Sequence, residues 1–243
     1  MGLILTIMSV IASSTVSPAA AVEPVFVYGP SDAETVGIMS GAFGGRNGGP
    51  GSLYWWDHTD LTVAVFASPG ANAQQVAAVH GGIATWSAFL SSRFPTVSLT
   101  DITNSREPRR ADIILNFVPH SGGVVWGGQA LCGYQRCGNV MLRSEEPPGG
   151  PYLDFDATRV HRMTVHELGH ALGQDHALPL LTSPDVMAYG WVQHVMDPAT
   201  GKFTYVYSTP ILSDCDLAGL AATFAWALNG EPPHPATVSS VSC

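Results

Sequence analysis

The chain has 243 residues, of which 46% are hydrophobic and 12% charged, and its formal charge is −9. Such a composition supports a packed core and excludes global disorder. The acidic balance, with no basic cluster beyond Arg106, Arg109 and Arg110, argues against nucleic acid as a partner.

Met1 to Val22 carries no charged residue. Leu3 to Ala12 is mostly aliphatic, and Ala19-Ala20-Ala21 supplies small residues of the kind a signal peptidase cuts after. Residues 1–21 therefore read as a signal peptide, and secretion is expected. An uncleaved anchor is the weaker reading, because the apolar core is on the order of ten residues where a span wants ~20. No stable membrane insertion is expected after cleavage. Residues 22–53 are rich in Gly, Pro and Ser and read as an N-terminal arm, too short for an inhibitory prodomain. The main domain is assigned to residues 54–230.

Within it, Leu61–Phe66 is a β-rich apolar run closed by Ser-Pro-Gly, hence a strand. Val76, Val79, Ile83, Trp86 and Leu90 recur at helical spacing and predict a helix from about Asn72 to Leu90, weakened by Gly81-Gly82 at its middle. Val97–Ile102, Asp112–Phe117 and Gly138–Leu142 are further strand candidates. Asp156 is placed to cap a helix that runs from Ala157 to about Leu172 and ends at Gly173. Ser213 and Asp216 form a capping box before a third helix marked by Leu217, Leu220, Phe224 and Leu228. Residues 231–243 read as a C-terminal tail. The four cysteines agree with export and two disulfides. Spacing favours Cys132–Cys137 and Cys215–Cys243 over the other pairings without settling the choice. The order strand, helix, strand, strand implies an α+β fold with helices laid on a mixed sheet.

The chemistry concentrates in His166-Glu167-Leu168-Gly169-His170-Ala171-Leu172-Gly173-Gln174-Asp175-His176. His166 and His170 lie one helical turn apart and point to a common side. Gly173 can turn the chain back at little conformational cost, so that His176 becomes a third ligand. Three protein ligands leave a position open, which marks a catalytic rather than a structural zinc site. Glu167, beside the first ligand, is the candidate general base for hydrolysis by a zinc-activated water. His58, His80, His120, His161, His194 and His234 show no ligand spacing and are expected in ordinary hydrogen-bonded roles.

Downstream, Ser183-Pro184-Asp185-Val186-Met187-Ala188-Tyr189-Gly190 sets Met187 in a turn-like segment. Together with the elongated histidine motif, it resembles the metzincin zinc metalloproteases. Trp86, Ala111-Asp112-Ile113 and Phe155-Asp156 are similar to the matrixin branch. Tyr189, two residues after the methionine, looks instead like astacins and serralysins, in which that tyrosine binds zinc or stabilises the oxyanion; here it is an auxiliary catalytic candidate. Arg136-Cys137-Gly138-Asn139 resembles a cysteine switch but lies inside the main domain, where a disulfide to Cys132 is the better account. Ala177 matches none of the better-known branches.

The resemblance implies a metzincin-type α+β fold. Its larger, N-terminal subdomain would hold a mixed twisted sheet and two long helices, and the smaller one the Met-turn and a C-terminal helix. It further implies catalytic Zn2+, with Ca2+ or a second structural Zn2+ near His120 or Asp154, and a monomer. A protein or peptide substrate would lie extended along strand 138–142, taken as an exposed sheet edge, with Gly190 and Trp191 beside the pocket. The expected function is a secreted zinc endopeptidase. The alternatives are a secreted zinc-containing adhesion or binding module, and an enzyme restricted to one peptide.

Overall fold

The computed structural model describes residues 27–30, 32–39, 55–69, 71–118, 128–131, 138–143, 156–190, 192–201, 203–208 and 210–243. In chain order the elements are β1 (Val27–Gly29), β2 (Thr35–Ile38), β3 (Asp60–Ala67), α1 (Ala73–Arg93), β4 (Ser98–Asp101), β5 (Ile113–Val118), β6 (Gly128–Leu131) and β7 (Asn139–Arg143). There follow α2 (Ala157–Ala171), β8 (Gln174–Leu178), β9 (Val192–Met196), β10 (Phe203–Tyr207), β11 (Ile211–Ser213), α3 (Asp214–Thr223), α4 (Ala225–Leu228) and β12 (Ser240–Ser242). This is an α+β fold, as the order of sequence patterns implies. The signal peptide, Cys132, Cys137, His120, Asp154 and Trp191 lie outside the described residues. Among the described residues no helix is long and apolar enough to cross a membrane.

The main sheet has five strands in the order β4-β3-β5-β7-β6, parallel except for β6, which runs antiparallel to β7. β3 and β5 have strands on both sides and read as near-continuous apolar runs, as central parallel strands do. Leu61, Val63, Ile113, Leu115 and Phe117 are fully buried there. Asn72 caps α1 by accepting from the Gln74 N–H at 2.8 Å. Gly81-Gly82, which weakens α1 as a local helix, has a tertiary reason. A Cβ on Gly82 would come within 2.6 Å of Thr164 Cγ2 and 3.2 Å of the His161 carbonyl, both on α2. The two helices cross there at backbone contact, so close packing offsets the propensity cost.

One expectation needs correction. Strand 138–142 is not a sheet edge: β7 pairs with β5 through Ile114↔Asn139 to Val118↔Arg143, and with β6 through Gly128↔Leu142 to Leu131↔Asn139. Among the described residues the sheet ends at β6, a four-residue strand whose glycine-rich approach gives no alternating pattern. The apolar character of Val140 and Leu142, both fully buried, is that of an interior strand.

The arm and the tail also take part in the fold. β2 pairs antiparallel with β8 on one side and with β12 on the other. β1 pairs in parallel with β11. A disulfide joins Cys215 to Cys243, and the Cys243 N–H donates to the Glu34 carbonyl at 2.9 Å. Segments from both ends of the chain thus brace β8, the strand that follows the histidine helix.

Candidate metal centre

Helix α2 carries the first two histidines because its start, support and stop are each specified. The Asp156 carboxylate accepts from the Arg159 N–H at 2.7 Å and caps the helix. Two buried tryptophans hold its backbone: Trp86 Nε1 donates to the Val165 carbonyl at 2.7 Å, and Trp56 Nε1 to the Ala171 carbonyl at 2.9 Å. Gly173 then takes φ +105°, and its carbonyl accepts from the Met39 N–H at 2.9 Å. The chain turns directly into β8, which delivers His176.

Gly173 is constrained twice, since a Cβ there would be strained by the positive φ and would also run into the Thr223 side chain. Gly173→Ala is therefore expected to cost about 1–3 kcal/mol of stability. By moving His176 it should also weaken metal binding about tenfold or more. Thermal unfolding and a metal titration check both, and an unchanged metal affinity would show that the turn does not place the third histidine.

The three imidazoles meet. Their ligand atoms all lie within 4.8 Å of one another, and the His166–His170 and His170–His176 ring centroids are each 4.8 Å apart. His166 Nδ1 donates to the Val186 carbonyl at 2.7 Å and His170 Nδ1 to the Gln174 carbonyl at 2.9 Å. Those bonds fix the tautomer that leaves Nε2 with its lone pair, as metal-ligating histidines require. His176 Nδ1 lies 3.4 Å from Asp175 Oδ1. Burial, and then the neighbouring imidazoles, hold His166 well below its usual pKa, and burial followed by the His176 charge brings His170 down to about 4. Both stay neutral at pH 7, the form that binds a cation. The donor set, the tautomers and the spacing all fit a metal ion.

Glu167, also on α2 and buried, completes the inner site. Burial raises its carboxyl to about 8, opposed by a hydrogen bond from the Ala130 N–H. Because this folded value lies above the ordinary 4.5, the contribution of Glu167 to the stability of the metal-free protein falls as pH rises from about 4.5 to 8. Gln does not titrate, so metal-free Glu167→Gln should gain stability over the wild type steadily through that window. Urea unfolding at several pH values measures the difference; a constant gap would mean that the carboxyl is not held protonated.

Met187 is fully buried and packs against Gly169, where any Cβ would collide with its sulfur. The methionine therefore sits under the stretch of α2 between His166 and His170. Asp185 holds the turn: its Oδ1 accepts from the Met187 N–H at 2.9 Å and its Oδ2 from the Ser213 hydroxyl at 2.6 Å. Ser213 and Asp216 form the predicted capping box of α3, so one network joins the methionine turn to the last helices. Burial, and then the Asp185 charge, push the Asp216 carboxyl well above its ordinary pKa.

Tyr189 is brought in as well. Its hydroxyl lies 2.8 Å from His176 Nε2, and its ring centroid is 5.1 Å from those of His166 and of His176. Burial, with the charges of Glu167 and Asp175, raises its pKa to about 12, so it remains a proton donor. Gly190 is tightly enclosed by the backbone of Thr182 and Ser183.

Four further histidines occupy ordinary hydrogen-bonded positions. His58 bonds Asp57, His80 bonds Asp101, His161 lies 3.1 Å from the Thr85 hydroxyl, and His234 bonds Glu231. Unforeseen in the sequence were Gly169, the carbonyls of Val186 and Gln174, and strand β6. The first could have been read from a glycine between two ligands on a helix, but carbonyl partners leave no sequence signal. Comparison with protein-family models and with curated proteins found no match for the chain.

Proposed function

We infer that the chain is a zinc-dependent endopeptidase of the metzincin type, exported from the cell. The observation that carries this reading is the pairing of an open three-histidine cluster with a buried carboxyl beside it. A purely structural metal site has no use for Glu167, and a buried carboxyl without catalytic work is a net cost to the fold. That weighs against an adhesion module.

His166, His170 and His176 would hold zinc through Nε2. When bound, zinc supplies a Lewis acid that acidifies water and polarises a carbonyl oxygen. Glu167 takes the proton from the attacking water and passes it to the amine as the C–N bond breaks, so the carboxyl ends unchanged. Tyr189, protonated and beside the cluster, donates to the carbonyl oxygen as negative charge develops on it. The substrate chain pairs in extended form with the outer edge of β6, the strand at which the sheet ends among the described residues.

Tyr189→Phe is expected to lower kcat about 100-fold while leaving metal affinity within about threefold, because the hydroxyl is not one of the three ligands. Equal kcat would reduce Tyr189 to a pocket wall. The reading as a whole is tested by chelation and reconstitution of the purified protein on a fluorogenic peptide set. Activity should vanish on chelation and return with stoichiometric zinc. Cleavage that persists in the metal-free protein would overturn it.

A further inference from the structure

We propose that Gly128, with the backbone N–H of Ala130, is a positioning element for Glu167, and that residue 128 must be glycine because any side chain there would occupy the carboxyl's place. This rests on the reading of Glu167 as the general base.

A Cβ at Gly128 would stand 2.7 Å from Glu167 Cγ, 2.8 Å from Oε1 and 3.0 Å from Cδ. Three successive parts of one side chain are in contact, so a rotation about its last bond does not clear them. Glu167 is buried on a helix whose neighbouring residues are buried too, and its carboxyl is tied to the Ala130 N–H. Retreat would break that bond. Residues 128 and 130 lie two apart on the same short strand, β6. One is bare so that the carboxyl can approach, and the other supplies the donor that holds it.

Backbone conformation does not explain the glycine. The described glycines with positive φ are Gly173, Gly201 and Gly230, and Gly128 sits in a strand with regular pairing opposite Leu142. Glycine weakens a strand interior and marks a close approach by another group; here that group is Glu167. The consequence is that the last strand of the sheet and the base form one rigid unit. Displacement of a catalytic group by about 1 Å can cost about 100-fold in rate.

The test is a two-by-two set in Gly128 and Glu167, read by activity and by stability. Gly128→Ala should lower kcat at least about 30-fold, with KM and zinc affinity each within about threefold of the wild type. The same substitution should lower Tm by several degrees in the wild type yet leave it nearly unchanged in Glu167→Ala, where the collision partner is gone. If Gly128→Ala does not fold alone, Gly128→Ala/Glu167→Ala should fold and bind zinc. The proposal is overturned if Gly128→Ala keeps kcat, if zinc affinity falls together with kcat, if the Tm penalty is equal in both backgrounds, or if the double variant also fails to fold. The Tm cycle needs no activity. A wild type that cleaves nothing would therefore defeat the protease reading, while the contact between Gly128 and Glu167 is judged separately.

Discussion

Glu167→Gln is expected to reduce peptide hydrolysis by at least about 1,000-fold while metal stoichiometry and fold are kept. The magnitude follows from what is lost. General acid–base catalysis contributes about 10²–10⁴-fold, and in the proposed mechanism one carboxyl would serve both directions of proton transfer. Gln matches Glu in size, still accepts from the Ala130 N–H, and makes no demand on the histidines. The three ligands reach their positions independently of residue 167, through the Val186 carbonyl, the Gln174 carbonyl and strand β8. The variant should also be the more stable protein at pH 8 without metal, since it replaces a carboxyl whose ionisation the site resists. Lost activity with a gain in stability is the signature of a residue kept for chemistry. Lost activity with lost metal would instead make Glu167 part of the scaffold.

The second large effect belongs to the third histidine. His176→Ala should weaken zinc binding by more than the 10–100-fold typical of removing a group that only orients a ligand, and should abolish hydrolysis. His161→Ala is the matching control. His161 is on the same helix and buried, but its ring contacts the Thr85 hydroxyl rather than the cluster. Its loss should cost stability through the α1–α2 contact and leave zinc affinity intact. Isothermal titration of both variants separates a ligand from a packed histidine. Equal affinities in the two would remove His176 from the site.

Glu167 and His176 both belong to what the sequence makes legible. The ligand spacing, the capping Asp156, the turning Gly173 and the capping box at Ser213 and Asp216 are local features, each set by a few adjacent residues. The structure places each as read. Gly81-Gly82 could be read only as a weakness, because the helix that approaches it, through Thr164 and His161, lies far along the chain. The bracing of β8 by β2 and β12 was hidden for the same reason. Such pairings join distant segments, and neither short strand carries an alternating pattern strong enough to announce itself. Residues 138–142 hold a strand, as their pattern predicts, but an interior one rather than an edge. Apolar residues mark burial, and nothing local told that the short run at Gly128–Leu131 would lie outside it.

That correction changes where a substrate would lie but not the atoms that would act on it. Under the proposed function the peptide would pair with β6 rather than β7, and β6 is also the strand that touches Glu167. Recognition and base positioning would then share one short element.

Whether the chain is a zinc endopeptidase is decided by a peptide-library cleavage profile of the zinc-loaded wild type, with Glu167→Gln and chelated protein run alongside and products identified by mass spectrometry. Internal cuts in extended peptides are expected from the wild type alone, with a preference confined to a few positions around the scissile bond. Zinc bound at one equivalent with no cut in any peptide, or identical cuts by wild type and Glu167→Gln, would contradict the endopeptidase reading.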